Sequence, residues 1–475
     1  MSETRTAVRA ETAARDAIPA AVWRVAGVVT FGAVMGMLDT SLINVGLHTI
    51  AAKLGATLNG SQWIASAYLL ALAVSLPLVG WLGRRFGMGR VWLGALLAFT
   101  IVSGLCALAP NVGWLIVLRI AQGLAAGLLV PAGQAIIGQV AGGHRLGRVM
   151  SVVGVAVVAA PAFGPALGGV MLAHLAWQWL FLINIPLGVL AYVLARRILP
   201  LGEKAADARN FDYLGFVLCA AGLSLLVYGL GEFGGRGGFA DPAVWIPLLV
   251  GALALGGFVL RGVLGQGTLL DLGMFRSPVF GAAGAAHFFG GAALFGSMLL
   301  LPLYFQLLHG QDVVATGLSL FTFGFGGVLA LPIAGRLTDR FGGGVVSAVG
   351  GAVCLVVTLP FAFGDDAMNL VLVQALLLIR GIATGLVGVP IVASAYAAVR
   401  REQIPDAASM VNILQRVGGS LGAALFAVIL ARSAGAGLSV AAGFQQAFWW
   451  LIGVTVASLI GSIVLWRTEV RYRER

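Results

Sequence analysis

Long apolar runs separated by short polar segments are the main pattern along this chain. Fourteen of the runs are long enough for an α-helix to cross a bilayer, which takes about 17–25 apolar residues. The pattern therefore predicts an all-α integral membrane protein with fourteen transmembrane helices. The predicted spans are residues 22–48, 60–82, 91–109, 112–140, 147–173, 177–198, 211–231, 243–263, 279–308, 313–335, 345–364, 367–398, 406–431 and 444–466.

A short motif occurs twice, as Gly80-Trp-Leu-Gly-Arg-Arg-Phe-Gly87 and as Gly335-Arg-Leu-Thr-Asp-Arg-Phe-Gly342. Each copy follows the second span of its half, and the separation is too long for one six-helix unit. We therefore predict two six-helix halves with two additional helices between them. Internal repeats of this kind are typical of secondary transporters, whose binding sites lie between the halves. The predicted divisions are a tail at 1–21, a first half at 22–198, a linker with two helices at 199–278, a second half at 279–466 and a tail at 467–475.

The composition agrees with a membrane location, since 60% of the residues are hydrophobic and only 10% are charged. Few soluble domains carry so few charges. The net charge of +11 would suit a nucleic-acid binder, but the positions of the charges favour another explanation. Of 29 lysines and arginines, 23 fall on one side of the predicted spans and three on the other, namely Lys53, Arg236 and Arg432. This bias predicts that both termini are cytoplasmic and that no nucleic acid is bound.

Asp39 is the acid that lies deepest in a predicted span. An ionised carboxylate at that depth is costly unless it is paired, hydrated or protonated, so it is a functional candidate. Gly32, Gly36 and Gly46 share its helix face, which lets a neighbour approach. Arg119 in the fourth span is the best candidate partner, and we predict that the two residues couple transport to protons. The alternative is that they form a static tie between helices.

Other polar groups within the spans are candidates for lining a substrate cavity, although most are expected to be ordinary core residues. His287 could also titrate, but a lone histidine is more often structural. Asp212 and Asp406 lie at predicted helix starts, where capping is the expected role. The cavity candidates are Asn44, Gln62, Tyr68, Gln122, Gln134, His287, Gln306, Arg380, Asn412, Gln415 and Arg416.

Six motifs in order resemble the major facilitator superfamily, and in particular its fourteen-span drug:proton antiporters of the EmrB/QacA type. The resemblance covers residues 22–466. It departs from the superfamily pattern at Arg84, where an acid is usual, while the second copy of the loop motif keeps Asp339. Another departure is His48, where the family often has proline. The motifs lie at 38–45, 63–68, 80–90, 119–123, 154–169 and 177–188.

The resemblance implies a cytoplasmic gate and a fifth-helix antiporter motif. In the motif, prolines bend the helix and glycines allow close packing, and a generic packing seam is the alternative. The loop arginines can reach carboxylates across the gap between the halves, or simply anchor the chain on the positive side. The gate residues are Gly80, Arg84, Arg85, Gly87, Arg90, Gly335, Asp339 and Arg340. The antiporter-motif residues are Gly154, Pro161, Gly164, Pro165, Gly168 and Gly169.

Together with these patterns, the resemblance implies a proton-coupled exporter of small lipophilic compounds in the bacterial inner membrane, with some preference for cations. Its expected partners are the substrate, protons and the lipid bilayer; no cofactor, metal or obligate oligomer is expected, and the need for a periplasmic adaptor is left open. The alternative within transport is a dedicated carrier of one endogenous metabolite, such as an antibiotic or an amino acid, working as exporter or symporter. An enzyme would need a cluster of histidine, cysteine or carboxylate groups at one depth, and a channel would conduct passively.

Overall fold

The computed structural model describes residues 18–56, 58–141, 145–202, 211–233, 241–265, 269–363 and 369–474. Within these ranges every regular element is helical. The helices are α1 Ala20–Lys53, α2 Leu58–Ser75, α3 Leu78–Phe86, α4 Met88–Ala107, α5 Val112–Ala141, α6 Leu146–His174, α7 Trp179–Leu182, α8 Asn184–Ile198, α9 Tyr213–Phe233, α10 Pro242–Val263, α11 Pro278–Leu303, α12 Val313–Phe341, α13 Gly343–Phe363, α14 Leu370–Ala397, α15 Ile404–Gly435 and α16 Val440–Arg473.

Twelve helices in the described ranges are long and apolar enough to cross a membrane, and a bent pair forms one more candidate span. The pair is α2 and α3, which meet at an angle of 56°. Pro77 lies at the break, where the missing amide hydrogen interrupts the helical ladder. Helix α6, with 29 residues, is also long enough to cross a membrane. Some of its side chains, at 155–163, 165 and 166, are not among those described. The model is therefore consistent with the fourteen predicted spans.

The two halves repeat one packing pattern. In the first half, α1 packs against α6 and α2 packs against α5. In the second half, the corresponding first and fifth spans are α11 and α15, and they also pack together. The second and fourth spans, α12 and α14, pair in the same way. The repeated loop motif therefore marks a repeat of the whole six-helix unit.

The two additional helices, α9 and α10, lie between the two halves in the sequence and pack against each other. Helix α9 also contacts α2 of the first half and α15 of the second half. Its Tyr228 ring stacks on Trp63 with centroids 6.1 Å apart. The inserted pair therefore lies beside the junction of the two halves, at one side of the second span.

The halves contact each other near the end of the bundle that carries the two loop motifs, which we call the motif end. Here α6 packs against α12 and α14, while α15 packs against α3 and α5. Gly87 and Gly342 end the two copies of the motif with φ of 86° and 95°. Only glycine adopts such values readily, so both copies make the same sharp turn into the next helix.

Candidate functional site

The carboxylate of Asp39 lies at the junction of three spans and is fully buried. Its Oδ2 atom accepts a hydrogen bond from Nη1 of Arg119 at 2.7 Å, which is also an ion pair. Its Oδ1 atom accepts bonds from Nε2 of Gln122 at 3.0 Å and from Nδ2 of Asn184 at 2.9 Å. These donors from α5 and α8 satisfy both carboxylate oxygens, which a buried charge requires.

Arg119 contacts residues of α1, α2 and α5, and only 1% of its surface is exposed. Its Nη1 atom donates to Oε1 of Gln122 at 2.7 Å, and its Nε atom donates to the carbonyl of Ile64 at 3.2 Å. The guanidinium also lies 4.0 Å from the ring centroid of Tyr68, a cation–π contact. The sequence paired Asp39 with Arg119, and the structure brings the two side chains together.

Two further residues complete this buried cluster and were not among the residues selected from the sequence. Asn184 donates to Ser103 Oγ at 3.0 Å as well as to Asp39, and Ser103 donates to the carbonyl of Phe181 at 3.0 Å. Asn184 begins α8, within the motif at 177–188, and this position is the only sequence signal that points to it. Gln122, selected as a cavity residue, is instead an internal partner of the ion pair, with 0% exposure.

The two charges of the cluster depend on each other. While Asp39 is ionised, it balances the charge of Arg119 in a site from which water is largely excluded. Protonation of Asp39 would leave a buried guanidinium without its counter-charge, which is strongly unfavourable. The contacts between α1, α2, α5 and α8 would then have to rearrange, or another anion or water would have to approach Arg119. The ion pair and its hydrogen-bond partners thus join four helices.

The motif end is tied by a first ion pair between the halves. Nη1 of Arg84 lies 2.5 Å from Oδ2 of Asp406, and Nη2 of Arg84 donates to the carbonyl of Leu269 at 3.3 Å. Asp406 is 2% exposed, and its side chain makes no capping bond at the start of α15. The expected capping role of Asp406 is therefore wrong, because this buried carboxylate is paired with an arginine from the other half.

A second ion pair ties the motif end with the opposite polarity. Oδ2 of Asp339 lies 2.7 Å from Nε of Arg148, and Oδ1 accepts from the amide of Gly147 at 2.9 Å. Arg84 and Asp339 occupy the same position in the two copies of the loop motif. The arginine that replaces the usual acid thus has a carboxylate partner, and each copy contacts the start of the fifth span of the other half.

Glycines allow these contacts to be close. A Cβ atom at Gly80 would overlap the carboxylate of Asp406. A Cβ atom at Gly335 would lie 2.8 Å from the carbonyl oxygen of Gly147, closer than real atoms pack. A Cβ atom at Gly83 would meet the side-chain end of Met88 in the same half, while Pro405 of the other half lies at an ordinary contact distance of 3.8 Å. Gly80 and Gly335, the first residues of the two motifs, are therefore required by the closed packing of the motif end.

The remaining predicted gate residues lie at the surface. Arg85 and Arg340 are exposed, and the Arg340 guanidinium lies 5.0 Å from the ring centroid of Phe341. Arg90 is also exposed and donates to the carbonyls of Phe86 and Gly202, both at 3.1 Å. Arg90 thus ties a helix end to a loop, and none of these contacts joins the halves.

Several predicted cavity residues meet where the halves approach one another. Oε1 of Gln134 accepts bonds from Nδ2 of Asn412 at 2.8 Å and from the hydroxyl of Tyr396 at 3.2 Å. Arg416 is half-buried and lies close enough to Tyr68 to interact electrostatically with its hydroxyl. Polar groups of α2 and α5 therefore face polar groups of α14 and α15.

The other cavity candidates have different surroundings. Asn44 and Gln62 are exposed, whereas Gln415 is half-buried beside Gly291. His287 is buried in α11, and Gln306 is half-buried in the π-helical turn Tyr304–Leu308 that follows it. Arg380 is buried among side chains of the second half. The predicted residues thus do not form one continuous cavity lining.

The antiporter-motif helix α6 contacts both α1 and the other half. A Cβ atom at Gly164 would overlap Ser41, two residues beyond Asp39, and Gly168 lies beside Leu42 and Val45. Gly154 instead approaches Leu331 and Val389 of the second half. Gly169 has open space around it, and the side chains of Pro161 and Pro165 lie outside the described residues.

The sequence matches one family model and several bacterial proteins that are named for drug or antibiotic resistance. A family model described as Major Facilitator Superfamily matches residues 29–423. A Mycobacterium tuberculosis protein named "Multidrug resistance protein B homolog" is 36% identical over 418 residues, covering 87% of this chain and 77% of the relative. The "Tetracenomycin C resistance and export protein" of Streptomyces glaucescens is 30% identical, with the same two coverages. The "Lincomycin resistance protein LmrB" of Bacillus subtilis is 28% identical over 92% of this chain and 94% of its own length.

Solved structures show the same fold at low sequence identity. The human organic anion transporter MFSD10 aligns with a TM-score of 0.64 at 15% identity, covering 93% of this chain and 99% of that structure. The proton:xylose symporter XylE aligns with a TM-score of 0.62 at 14% identity, covering 93% and 95%. These similarities support the two-half architecture described above.

Proposed function

The chain belongs to the Major Facilitator Superfamily of membrane transporters, and we propose that it is a proton-coupled exporter of small lipophilic compounds. A transporter of this family is not an enzyme, so the buried polar cluster is interpreted as a coupling site. The observation that carries the proposal is the fully buried ion pair between Asp39 and Arg119. It is a group that one proton can switch, and it joins four helices of one half.

The packing of α6 supports a route from this cluster to the gap between the halves. Near Gly164 it contacts α1 beside Ser41, and near Gly154 it contacts α12 and α14. A shift of α1 that follows protonation of Asp39 would therefore press on a helix that also lies against the second half. We propose that this contact helps to open the motif end when the proton load changes.

The substrate class is inferred from the names of the relatives and from the charge of the site. Those names refer to multidrug resistance, tetracenomycin C export and lincomycin resistance. Asp39 is neutralised by Arg119, and Arg416 adds a positive charge where the halves approach. We therefore expect apolar contacts to select the substrate. The structure gives less support to a preference for cationic substrates than the sequence did.

The orientation follows from the positive residues of the motif end and the two tails. We propose that this end faces the cytoplasm, with both termini there, in the inner membrane of a bacterial cell. The ion pairs of Arg84 and Arg148 hold the halves together at this end. The described arrangement is then closed towards the cytoplasm, and the monomer is the working unit.

A dedicated exporter of one compound is the second candidate. It is favoured by the relative named for export of a single antibiotic, tetracenomycin C. Both candidates use the same coupling site, and they differ in how many unrelated compounds are carried.

Inverted membrane vesicles with an imposed pH gradient, acidic inside, test the proposal. We expect gradient-dependent uptake of at least two unrelated dyes, which a protonophore abolishes. Uptake that is independent of the gradient would contradict proton coupling. Gradient-driven uptake of one compound only would favour the dedicated exporter.

A further inference from the structure

A second buried arginine lies on the corresponding helix of the other half, and no carboxylate among the described residues is paired with it. Arg380 is on α14, the fourth span of its half, as Arg119 is on α5. A similar sequence follows each arginine, Ile120-Ala-Gln122-Gly123 and Ile382-Ala-Thr384-Gly385, although Gly381 separates the second one from Arg380. In each half the arginine bonds the first span, but Asp39 is replaced there by Ser297, whose Oγ atom accepts from Nη2 of Arg380 at 2.7 Å.

The charge of Arg380 is therefore uncompensated within the part of the chain that the structure describes. Its Nη1 atom donates to Thr358 Oγ1, and both of its side-chain partners are neutral hydroxyls. Its Nε atom is buried without a hydrogen-bond partner, although Arg380 is only 3% exposed. No carboxylate of the described residues lies within 4.0 Å of this guanidinium. A buried charge without a counter-charge is strongly unfavourable.

A small cavity lies beside Arg380. Its volume is about 40 Å³, and Arg380 lines it together with Ser297, Thr384, Thr455 and Ser458. By this measure one water needs roughly 10–15 Å³, so the cavity holds a body of a few water volumes, whereas drug-sized ligands need roughly 300 Å³ or more. A volume of this size suits a monatomic ion.

The lining offers donors to an anion. Arginine carries five N–H donors, and the two bonds to Thr358 and Ser297 leave others available. The hydroxyls of Thr384 and Ser458 now donate to the carbonyls of Arg380 and Ala286, at 2.9 and 3.2 Å. A hydroxyl hydrogen can rotate towards a stronger acceptor, and a charged acceptor makes the stronger bond.

We propose that this cavity binds a small monovalent anion of chloride size as the counter-ion of Arg380. The anion would take the place in the second half that the Asp39 carboxylate takes in the first half. The site lies among helices of the second half, so the inference is independent of the proposed proton coupling.

The test uses the purified full-length chain in detergent, with sodium chloride exchanged for sodium gluconate at constant sodium concentration. A ligand that binds the folded state raises the melting temperature with its concentration. We expect the wild-type Tm to rise by about 1–3 °C per tenfold increase in chloride above the dissociation constant. The response should be lost in Arg380→Met and retained in Arg432→Met, which removes the same charge from an exposed position.

A wild-type Tm that is the same in chloride and gluconate would overturn the proposal, as would an equal response in Arg380→Met. If Arg380→Met does not fold, Thr384→Val and Ser297→Ala keep the arginine and remove lining hydroxyls. Equilibrium dialysis of radioactive chloride against these variants should show binding weakened several-fold. Unchanged chloride affinity in both would equally contradict the site.

Discussion

At the level of single residues, the cluster around Asp39 shows which site residues a sequence can reveal. Asp39 and Arg119 stand out because charged residues deep in apolar spans need partners. Asn184 carries no charge, and its contact with Asp39 depends on how the sixth span packs, so it did not stand out. Asp406 was misjudged because a helix start suggests capping, while its partner Arg84 lies 322 positions away in the chain.

The Asp39–Arg119 pair gives a stability prediction at this scale. Replacing Arg119 with Leu leaves a buried carboxylate unpaired, which should lower the free energy of unfolding by about 3–5 kcal/mol. The double variant Asp39→Asn, Arg119→Leu removes both charges and should be more stable than the sum of the single variants predicts, by roughly 1–3 kcal/mol. Thermal unfolding in detergent with a double-mutant cycle measures this coupling. Additive effects would mean that the pair is not a unit.

At the level of helices, the apolar pattern located the spans, but the ends and bends depend on packing. Helix α1 extends to Lys53 and α16 to Arg473, beyond the predicted apolar runs, because interfacial polar residues continue the helices. The second span is two helices with a bend of 56°, which the predicted single run from 60 to 82 did not contain. Pro77 was visible in the sequence, but the size of the bend was not.

Helix α6 gives a prediction that separates mechanism from general packing. Gly164→Val places methyl groups into Ser41 and should displace α1 near Asp39. We expect transport to fall by more than tenfold, while Gly169→Val in the same motif, where nothing lies within 4 Å, should remain close to wild type. Dye transport by reconstituted protein, normalised to the amount of monodisperse transporter, measures both variants. Equal losses of transport in the two variants would indicate that α6 responds only to larger side chains in general.

At the level of the whole molecule, the sequence predicted two repeated halves, and the shared packing pattern agrees with that prediction. It could not predict which end is closed, because one sequence must support both the closed and the open arrangement. The two ion pairs of opposite polarity across the motif end also depend on three-dimensional proximity. Arg84 departs from the superfamily pattern in the sequence, yet in the structure it forms an ion pair between the halves.

Charge reversal tests whether these pairs hold the motif end closed. Arg84→Asp places two carboxylates against each other, so the closed arrangement should become less populated. The double reversal Arg84→Asp, Asp406→Arg should restore it, and Arg276→Asp controls for a charge change at an exposed site. Spin labels at the exposed positions 85 and 401 on the two halves report the distance. No shift to longer distances in Arg84→Asp would show that the pair does not control closure.

The central claim is that Asp39 carries the coupled proton, and reconstituted vesicles test it most directly. Wild-type protein and Asp39→Asn are compared in two assays, uphill dye accumulation driven by a pH gradient and exchange of labelled for unlabelled dye without a gradient. We predict that Asp39→Asn loses uphill accumulation and keeps exchange, because a permanently neutral side chain can cycle with substrate but cannot exchange a proton. Uphill accumulation at the wild-type rate in Asp39→Asn would contradict the account and assign the proton to another group.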